Sequence, residues 1–237
     1  GIDIKADEIA FRCNLVTFSD NRLVDYSAGH ISTEEARSLI DALNAKLGTK
    51  DIRFYAGVSY RHLMVLKCRG KHELRGLAKL RCVPPHDIIG KKVKRYFPKG
   101  GAWADAVKKI MDDSRDVLDG CEVNKVRLDL KENPANMIWL WGQGVSPFMP
   151  RFSELYNVEG SIISAVDLIK GIGRIIGLRV IDVPGATGYY DTNYTGKAEY
   201  ALDALKDRDF VFVHVEAPDE AGHNGDLREK IASIEKF

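Results

Sequence analysis

The sequence has 237 residues, of which 45% are hydrophobic and 29% are charged, as in an ordinary globular protein. Its 35 Lys and Arg residues nearly balance its 34 Asp and Glu residues, so the charge indicates no nucleic-acid partner. No apolar run approaches the roughly 20 residues that span a bilayer, and no signal peptide is recognisable, so the sequence predicts no membrane partner.

The first half of the chain mixes strand and helix patterns without a regular order. Ser32 and Glu35 form a capping-box pattern ahead of apolar residues at helical spacing, and Gly48 ends that helix. Alternating polar and apolar residues over 123–130 predict a half-buried strand. The other predicted elements are strands at 7–18, 53–55 and 62–67, an irregular segment at 74–96 and a helix at 102–118. Residues 1–134 are therefore predicted to form an α+β domain.

After residue 134 the pattern changes to alternating strands and helices. A strand at 137–141 is predicted to run into a glycine-rich loop at 142–150. Further strands are predicted at 161–164, 180–183 and 210–215, and helices at 166–176, 194–205 and from 226 onward. This alternation predicts a parallel α/β sheet over residues 135–237. The nearly continuous apolar run 210–215 predicts a strand that is buried on both faces.

Three loops that follow predicted strands carry candidate functional residues, because ligands collect beyond the carboxyl ends of parallel strands. These loops span 141–144, 184–188 and 216–223. In the third loop, Asp219 and His223 are four residues apart, so one helical turn would direct both side chains to one point. A carboxylate and an imidazole suit zinc or manganese. The alternative is a helix start with an incidental histidine.

Two further features of the second half have alternative interpretations. The glycines of 184–188 could expose backbone N–H groups to a phosphate, or could form a tight connection to a helix capped by Asp191 or Asn193. Lys170 follows the strand 161–164 on the next helix. Its ammonium could pair with a phosphoryl oxygen, or it could be an exposed lysine on a helix surface.

The first half offers candidate side chains for an anionic substrate. Arg12 lies among apolar residues, and Arg61 and His62 begin a predicted strand. A rigid Pro-Pro turn presents His86 and Asp87. Because an arginine fork binds phosphate and carboxylate groups well, these positions are candidates for substrate contact.

The cysteines and the chain ends suggest the cellular setting. Four scattered cysteines without metal-ligand spacing predict reduced, buried thiols in a cytoplasmic protein. The chain begins with Gly1 rather than Met and ends within a helical pattern, which we interpret as a fragment of a longer protein. The sequence leaves the oligomeric state undetermined.

Several motifs together resemble the archaeal-type cofactor-independent phosphoglycerate mutases of the alkaline phosphatase superfamily. The motifs are DEIAFRCN at 7–14, YRHLMV at 60–65, PPHDI at 84–88, NMIWLWGQG at 136–144, DLIKGI at 167–172, PGATG at 184–188 and DFVFVHVEAPDEAGH at 209–223. They occur in order and extend over almost the whole chain. The resemblance is therefore to a central portion of such an enzyme.

The resemblance implies part of an alkaline phosphatase-like α/β domain with an inserted α+β domain. It implies two divalent metal ions, Mn or Zn, and interconversion of 3-phosphoglycerate and 2-phosphoglycerate in glycolysis through a phosphoserine. Asp219 and His223 match two ligands of one metal, and Lys170 matches a lysine near the phosphoryl group. The candidate substrate contacts in the inserted domain are Arg61 first, and then Arg12, His62, His86 and Asp87.

The resemblance also implies that the nucleophilic serine and one aspartate ligand precede Gly1, and that the remaining ligands follow Phe237. We therefore expect this chain to be inactive alone. Two alternatives stay open. One is a related metal-dependent phosphotransferase, such as the proposed homoserine kinases, and the other is a non-catalytic module that binds a phosphorylated acid.

Overall fold

The computed structural model describes residues 2–237, which divide into an N-terminal unit, 2–146, and a C-terminal unit, 147–237. This division falls after β5 (Met137–Val145), whereas the sequence predicted a boundary at 134/135. The difference arises because β5 pairs with β1 (Glu8–Ser19) along most of its length, from Val16 opposite Met137 to Ile9 opposite Val145. The apolar strand that was predicted to begin the second domain thus completes the sheet of the first.

The N-terminal unit contains a five-stranded antiparallel sheet. Its remaining strands are β2 (Arg22–Asp25), β3 (Ile52–Tyr55) and β4 (Arg61–Lys67). The strand order is β2-β1-β4-β3, and β5 pairs with β1. β1 is therefore a central strand that joins β4 and β5, and residues on these three strands can share one surface.

Four helices belong to the N-terminal unit: α1 (Thr33–Leu47), α2 (Lys71–Ala78), α3 (Ala102–Asp119) and α4 (Glu122–Asp129). Short 3₁₀ turns cover Pro85–Ile88 and Val93–Arg95. The predicted capping box of α1 is confirmed. Ser32 Oγ accepts a hydrogen bond from the Glu35 amide at 3.2 Å, and the Glu35 carboxylate accepts one from the Ser32 amide at 3.1 Å. The segment predicted to be irregular contains most of α2.

The predicted strand at 123–130 was wrong, because this segment forms α4. Val126, Leu128 and Leu130 are exposed, Val123 packs against the core, and the fully buried positions are polar. Asn124 bonds the carbonyls of Leu118 and Ala135, and the Arg127 guanidinium pairs with Glu35 at 2.9 Å. Buried polar groups need such partners, so the hydrogen bonds of Asn124 and Arg127 help to fix this helix.

The hydrophobic core of the N-terminal unit packs between the sheet and its helices. Its central side chains are fully buried and include Ile9, Phe11, Cys13 and Leu15 on β1 and Met64 on β4. All four cysteines are free, and Cys13 and Cys68 are buried, as expected for reduced thiols. Burial raises the pKa of Cys68 to about 11, which keeps its thiol protonated and unreactive.

The C-terminal unit has a parallel sheet with the order β7-β6-β8. The strands are β6 (Gly160–Ile163), β7 (Arg179–Ile181) and β8 (Phe210–Val213). The helices are α5 (Phe152–Tyr156), α6 (Asp167–Ile175), α7 (Tyr194–Ala204), α8 (Ala217–His223) and α9 (Leu227–Lys236). The predicted α/β class and parallel strands are confirmed, whereas the alkaline phosphatase-like arrangement and the inserted domain stay predictions.

The predicted burial of the last strand on both faces was wrong. The side chains of β8 are partly exposed, and Phe212 retains 42% of its accessible surface. In the described part of the chain β8 pairs only with β6, so it is an edge strand. Across residues 2–237, none of the helices has the length and apolar character needed to cross a membrane.

Candidate active site

One face of the N-terminal sheet brings together several of the predicted substrate contacts. Arg12 on β1 lies opposite Trp141 on β5, and Asn14 on β1 lies opposite Arg61 on β4. Facing residues of antiparallel strands project from the same side of a sheet, as do residues two apart along one strand. Arg12, Asn14, Arg61 and Trp141 therefore lie on one face of the sheet, where Asn14 is buried and both arginines are exposed.

Four rings form a continuous row on this surface, which we call the aromatic row: Tyr60, Tyr26, His86 and Trp141. The ring centroids of Tyr60 and Tyr26 are 5.5 Å apart, those of Tyr26 and His86 are 6.3 Å apart, and those of His86 and Trp141 are 5.4 Å apart. All three contacts are edge-to-face, the geometry that aromatic pairs favour. The 3₁₀ turn Pro85–Ile88 supplies His86 and thus completes the row.

Each end of the aromatic row carries an exposed arginine. Arg12 Cζ lies 4.3 Å from the centroid of the Trp141 ring, and Arg61 Cζ lies 5.4 Å from that of Tyr60. Both distances fall within the range of cation–π attraction. Guanidinium groups bind carboxylate and phosphate oxygens, so each arginine on this surface can bind an anionic group.

Asp87 lies at the edge of this surface beside His86. His86 Nε2 is 3.8 Å from Asp87 Oδ1, and both side chains are at least half exposed. A carboxylate here repels an anionic ligand, but it can also accept a hydrogen bond from a substrate hydroxyl. The structure thus brings Arg12, Arg61, His86 and Asp87 to one region of the N-terminal unit.

His62 does not reach this surface. It alternates with Arg61 along β4 and lies opposite Cys13, on the buried side of the sheet. Its Nδ1 accepts a hydrogen bond from the Gly57 amide at 3.0 Å, and burial lowers its pKa to about 4. A substrate on the opposite face cannot contact this ring, because the alternation of a strand separates the two side chains.

In the C-terminal unit, Asp219 and His223 are side by side on α8. Asp219 Oδ2 and His223 Nε2 are 3.3 Å apart, and both side chains are largely exposed. The helical turn predicted from their spacing is present. These two donors suit one divalent cation, but within residues 2–237 no three His, Cys, Asp or Glu side chains are grouped as a metal site. The pair therefore fits a metal as part of a larger ligand set.

Lys170 lies in the first turn of α6, at the carboxyl edge of the parallel sheet. Its Nζ donates a hydrogen bond to Oδ1 of Asp182, the residue that follows β7, at 2.6 Å. This hydrogen bond, together with the positive charge of Lys170, lowers the pKa of the Asp182 carboxyl. The lysine is largely covered, so the alternative of a freely exposed helix lysine is not what the structure shows.

A buried polar cluster at the same edge was missed by sequence reasoning. Lys197 on α7 is 2% exposed and donates from Nζ to the His214 carbonyl at 3.1 Å. Ser164 Oγ lies 3.3 Å from His214 Nδ1. Burial lowers the pKa of Lys197, and the nearby Glu216 opposes that shift. No motif marks Lys197, because its burial depends on the end of β8.

The loop 184–188 forms a tight connection to α7. The Ala186 amide bonds the Val183 carbonyl, and the Thr187 amide bonds Thr192 Oγ1. Asn193 caps α7 by accepting from the Gly196 amide at 2.8 Å. Two amides of the loop are thus used within it, and the Asn193 cap agrees with the second sequence interpretation, whereas the phosphate interpretation stays a prediction.

The segment 141–144 differs from its predicted position. The sequence assigned it to a loop beyond a parallel strand, whereas Trp141 and Gly142 lie within antiparallel β5. Trp141 belongs to a segment that the sequence singled out, but neither its indole nor Asn14 was assigned a role there. The alternation of Trp139 and Trp141 along 137–141 was the available signal, since it places both indoles on one face.

Comparison with known proteins agrees with these motifs. Residues 1–124, more than half of the chain, match the family model described as 2,3-bisphosphoglycerate-independent phosphoglycerate mutase. A protein of that name from Methanosarcina barkeri is 52% identical over 237 residues, and one from Methanothermobacter thermautotrophicus is 54% identical. The matches cover 100% of this chain, which spans 58% and 57% of these two relatives.

Two solved structures are also similar. A protein from Pyrococcus horikoshii has a TM-score of 0.75 at 24% identity, over 100% of this chain and 54% of that chain, which supports the fold alone. A cofactor-independent phosphoglycerate mutase from Thermoplasma acidophilum has a TM-score of 0.62 at 27% identity, over 90% of this chain and 56% of that chain. From its motifs, its fold and its relatives, the chain belongs to the 2,3-bisphosphoglycerate-independent phosphoglycerate mutase family.

Proposed function

We propose that the intact protein containing this chain interconverts 3-phosphoglycerate and 2-phosphoglycerate, without 2,3-bisphosphoglycerate as a cofactor. The observation that carries this proposal is the identity of 52–54%, along the whole chain, with relatives of that name. Because the chain spans less than two thirds of those relatives, the activity is proposed for the intact protein.

We propose that the aromatic row and its two arginines bind the substrate. Phosphoglycerate carries a phosphate and a carboxylate, and Arg12 and Arg61 offer two exposed guanidinium groups at opposite ends of one row. His86, within the row, can donate a hydrogen bond to an oxyanion, and Asp87 can accept one from the free hydroxyl. The two exposed guanidinium groups on one face of the sheet support this role.

We propose that Asp219 and His223 hold one of two divalent metal ions, manganese or zinc, in the intact protein. Their oxygen and nitrogen donors lie 3.3 Å apart on one helical turn, which supports a shared cation. A zinc site takes about four ligands, so the intact protein must supply the others. When bound, such an ion would polarise phosphoryl oxygens and lower the pKa of a nucleophilic hydroxyl.

The residues of this chain would then bind and orient the transferring group. Lys170, near the carboxyl edge of the sheet, would exchange its Asp182 partner for a phosphoryl oxygen. Its ammonium would then offset the negative charge of the phosphoryl group. As the family resemblance implies, the phosphoryl group would reside on a serine before the other hydroxyl receives it, and in the N-terminal unit Arg12 and Arg61 would bind the anionic groups of the substrate. This scheme is covalent catalysis through a phosphoserine.

The experiment that tests this proposal compares two substrates. The intact protein is incubated with 3-phosphoglycerate and manganese, and separately with homoserine and a nucleotide phosphoryl donor. We expect ³¹P NMR to show 2-phosphoglycerate in the first sample and no phosphohomoserine in the second. The reverse result would assign the protein to the related phosphotransferases, and no turnover of either substrate would favour a binding module.

The cytoplasmic location predicted from the sequence stays a prediction. A phosphoglycerate mutase that serves glycolysis would act in the cytoplasm, and the free cysteines are compatible with a reducing compartment.

A further inference from the structure

Asn14 is a buried polar residue beneath the aromatic row that the proposed function does not use. Only 4% of its surface is exposed. Its Oδ1 accepts a hydrogen bond from Trp141 Nε1 at 3.0 Å, and its Nδ2 lies 3.4 Å from the Tyr26 carbonyl. One amide side chain on β1, the strand that also carries Arg12, thus contacts the Trp141 indole and the backbone of Tyr26.

Trp141 in turn supports Arg12. Arg12 Cζ lies 4.3 Å from the centroid of the indole, and the His86 ring makes an edge-to-face contact with the same indole. An indole samples a few staggered rotamers, and a hydrogen bond from its N–H to a buried partner favours one of them; here Asn14 is that partner. The hydrogen bond therefore determines where the aromatic face under Arg12 lies.

The next residue leaves room for the Arg12 side chain. Gly142 has φ +54°, and a Cβ at this position would lie 3.1 Å from Arg12 Cδ and 3.4 Å from Arg12 Cγ. The arginine stem thus passes closely over a residue without a side chain, and its head lies over the indole. Trp141 and Gly142, which are neighbours on β5, therefore favour the same conformation of the Arg12 side chain.

Such support matters because a free arginine side chain samples many rotamers. Binding an anion with an unsupported guanidinium loses that freedom, whereas a guanidinium already held over a ring loses less. Preorganisation of this kind strengthens binding without adding a contact to the ligand. Asn14 does not reach the surface, so its effect on a ligand has to pass through Trp141.

We propose that Asn14 is a positioning residue that, by holding the Trp141 indole, orients Arg12 toward an oxyanion of the substrate. The inference rests on the proposed function to the extent that Arg12 contacts phosphoglycerate. It assigns Asn14 no contact with the ligand and no part in the chemical step.

A double-mutant cycle on the intact protein tests this chain of contacts. Calorimetry measures the Kd of 3-phosphoglycerate for wild type, Asn14→Leu, Arg12→Met and the double variant. We expect Asn14→Leu to raise the Kd by about tenfold, within the range of a lost cation–π contact. In the Arg12→Met background the same change should alter the Kd by less than about twofold, because the effect passes through Arg12.

Two further variants separate positioning from general destabilisation. Trp141→Phe removes the indole N–H but keeps an aromatic ring. It should raise the Kd as much as Asn14→Leu does, and combining the two changes should raise the Kd no further. Asn44→Leu is the control, because Asn44 also makes two side-chain hydrogen bonds, to the backbone of Phe54 on β3. It should lower stability and leave the Kd unchanged.

The outcomes distinguish the inference from the proposed function. Additive effects of Asn14→Leu and Arg12→Met, or an unchanged Kd in both Asn14→Leu and Trp141→Phe, overturn the inference even if the enzyme isomerises phosphoglycerate. Coupled effects in a protein that binds 3-phosphoglycerate without isomerising it uphold the inference and overturn the proposed function. A wild-type protein that does not bind 3-phosphoglycerate overturns both.

Discussion

Burial keeps the His62 imidazole neutral in the folded protein. Its Nδ1 already accepts a backbone hydrogen bond, and burial lowers its pKa from 6.5 to about 4. In the unfolded chain the ring is solvated and titrates near its ordinary pKa. The unfolded state therefore takes up a proton between pH 6.5 and 4 that the folded state does not bind, so stability is lost as the pH falls through this window.

We expect His62 to reduce the free energy of unfolding by about 2 kcal/mol between about pH 7.5 and pH 5. The His62→Leu variant should lack this part of the pH dependence. His72→Leu, at an exposed position, serves as the control and should retain it. Urea unfolding followed by circular dichroism measures the difference. Equal pH dependence in wild type and His62→Leu would mean that the folded protein does not hold this ring neutral.

Side-chain chemistry alone predicted part of the candidate site. Arg12, Arg61 and His86 were candidates because of what guanidinium and imidazole groups bind. Their common surface follows from the pairing of β1 with β4 and β5, and that register is not visible in the sequence. Asn14 and Lys197 had no such signal, since a buried asparagine or lysine is recognisable only from partners distant in sequence.

The helices differ in how far local sequence determines them. α1 has its caps and its apolar stripe within one segment, so its start and end could be predicted. α4 has neither, because its interior residues Asn124 and Arg127 depend on Ala135 and Glu35 elsewhere in the chain. The sequence pattern of a strand was misleading there, since most of the apolar residues that alternate are exposed.

The capping box of α1 should contribute measurably to stability. Ser32→Ala removes the side chain that accepts from the Glu35 amide, and we expect a loss of about 1 kcal/mol in the free energy of unfolding. Ser38→Ala, at an exposed position within the same helix, is the matched control and should be neutral or slightly stabilising. A loss in Ser38→Ala as large as that in Ser32→Ala would contradict a specific role for the cap.

The two units differ in the cores that they contain. The main cluster of buried apolar side chains extends from Ile9 to Leu140 and lies wholly in the N-terminal unit. The C-terminal unit has a three-stranded sheet whose edge strand β8 is partly exposed. Burial of apolar surface is the main stabilising term in folding, so the N-terminal unit should be the more stable of the two.

Residues 2–146 expressed alone should therefore fold. We expect near-ultraviolet circular dichroism with fixed aromatic signals and a single cooperative transition in urea, whereas residues 147–237 should unfold at lower urea concentration. A segment 2–146 that binds hydrophobic dyes and lacks a cooperative transition would contradict this assignment of the core.

The family could be recognised from motifs that are spread over the whole chain, but the division into units could not be predicted from them. The WLWGQG segment looked like the start of a parallel sheet because it is apolar and followed by glycines. Its pairing with β1, more than a hundred residues earlier in the sequence, assigns it to the first unit instead. A local sequence pattern does not specify contacts between segments that are so distant in the chain.

The most direct test of the account is the rate at which the intact protein isomerises 3-phosphoglycerate with manganese and without 2,3-bisphosphoglycerate. Wild type should be active. The rate for Asp219→Asn should fall by more than the roughly 10–100-fold that is typical when a residue hydrogen-bonded to a metal ligand is replaced. Asp226→Asn, which preserves the cap of α9, should remain active. Full activity in Asp219→Asn, or no isomerisation by wild type, would contradict the account.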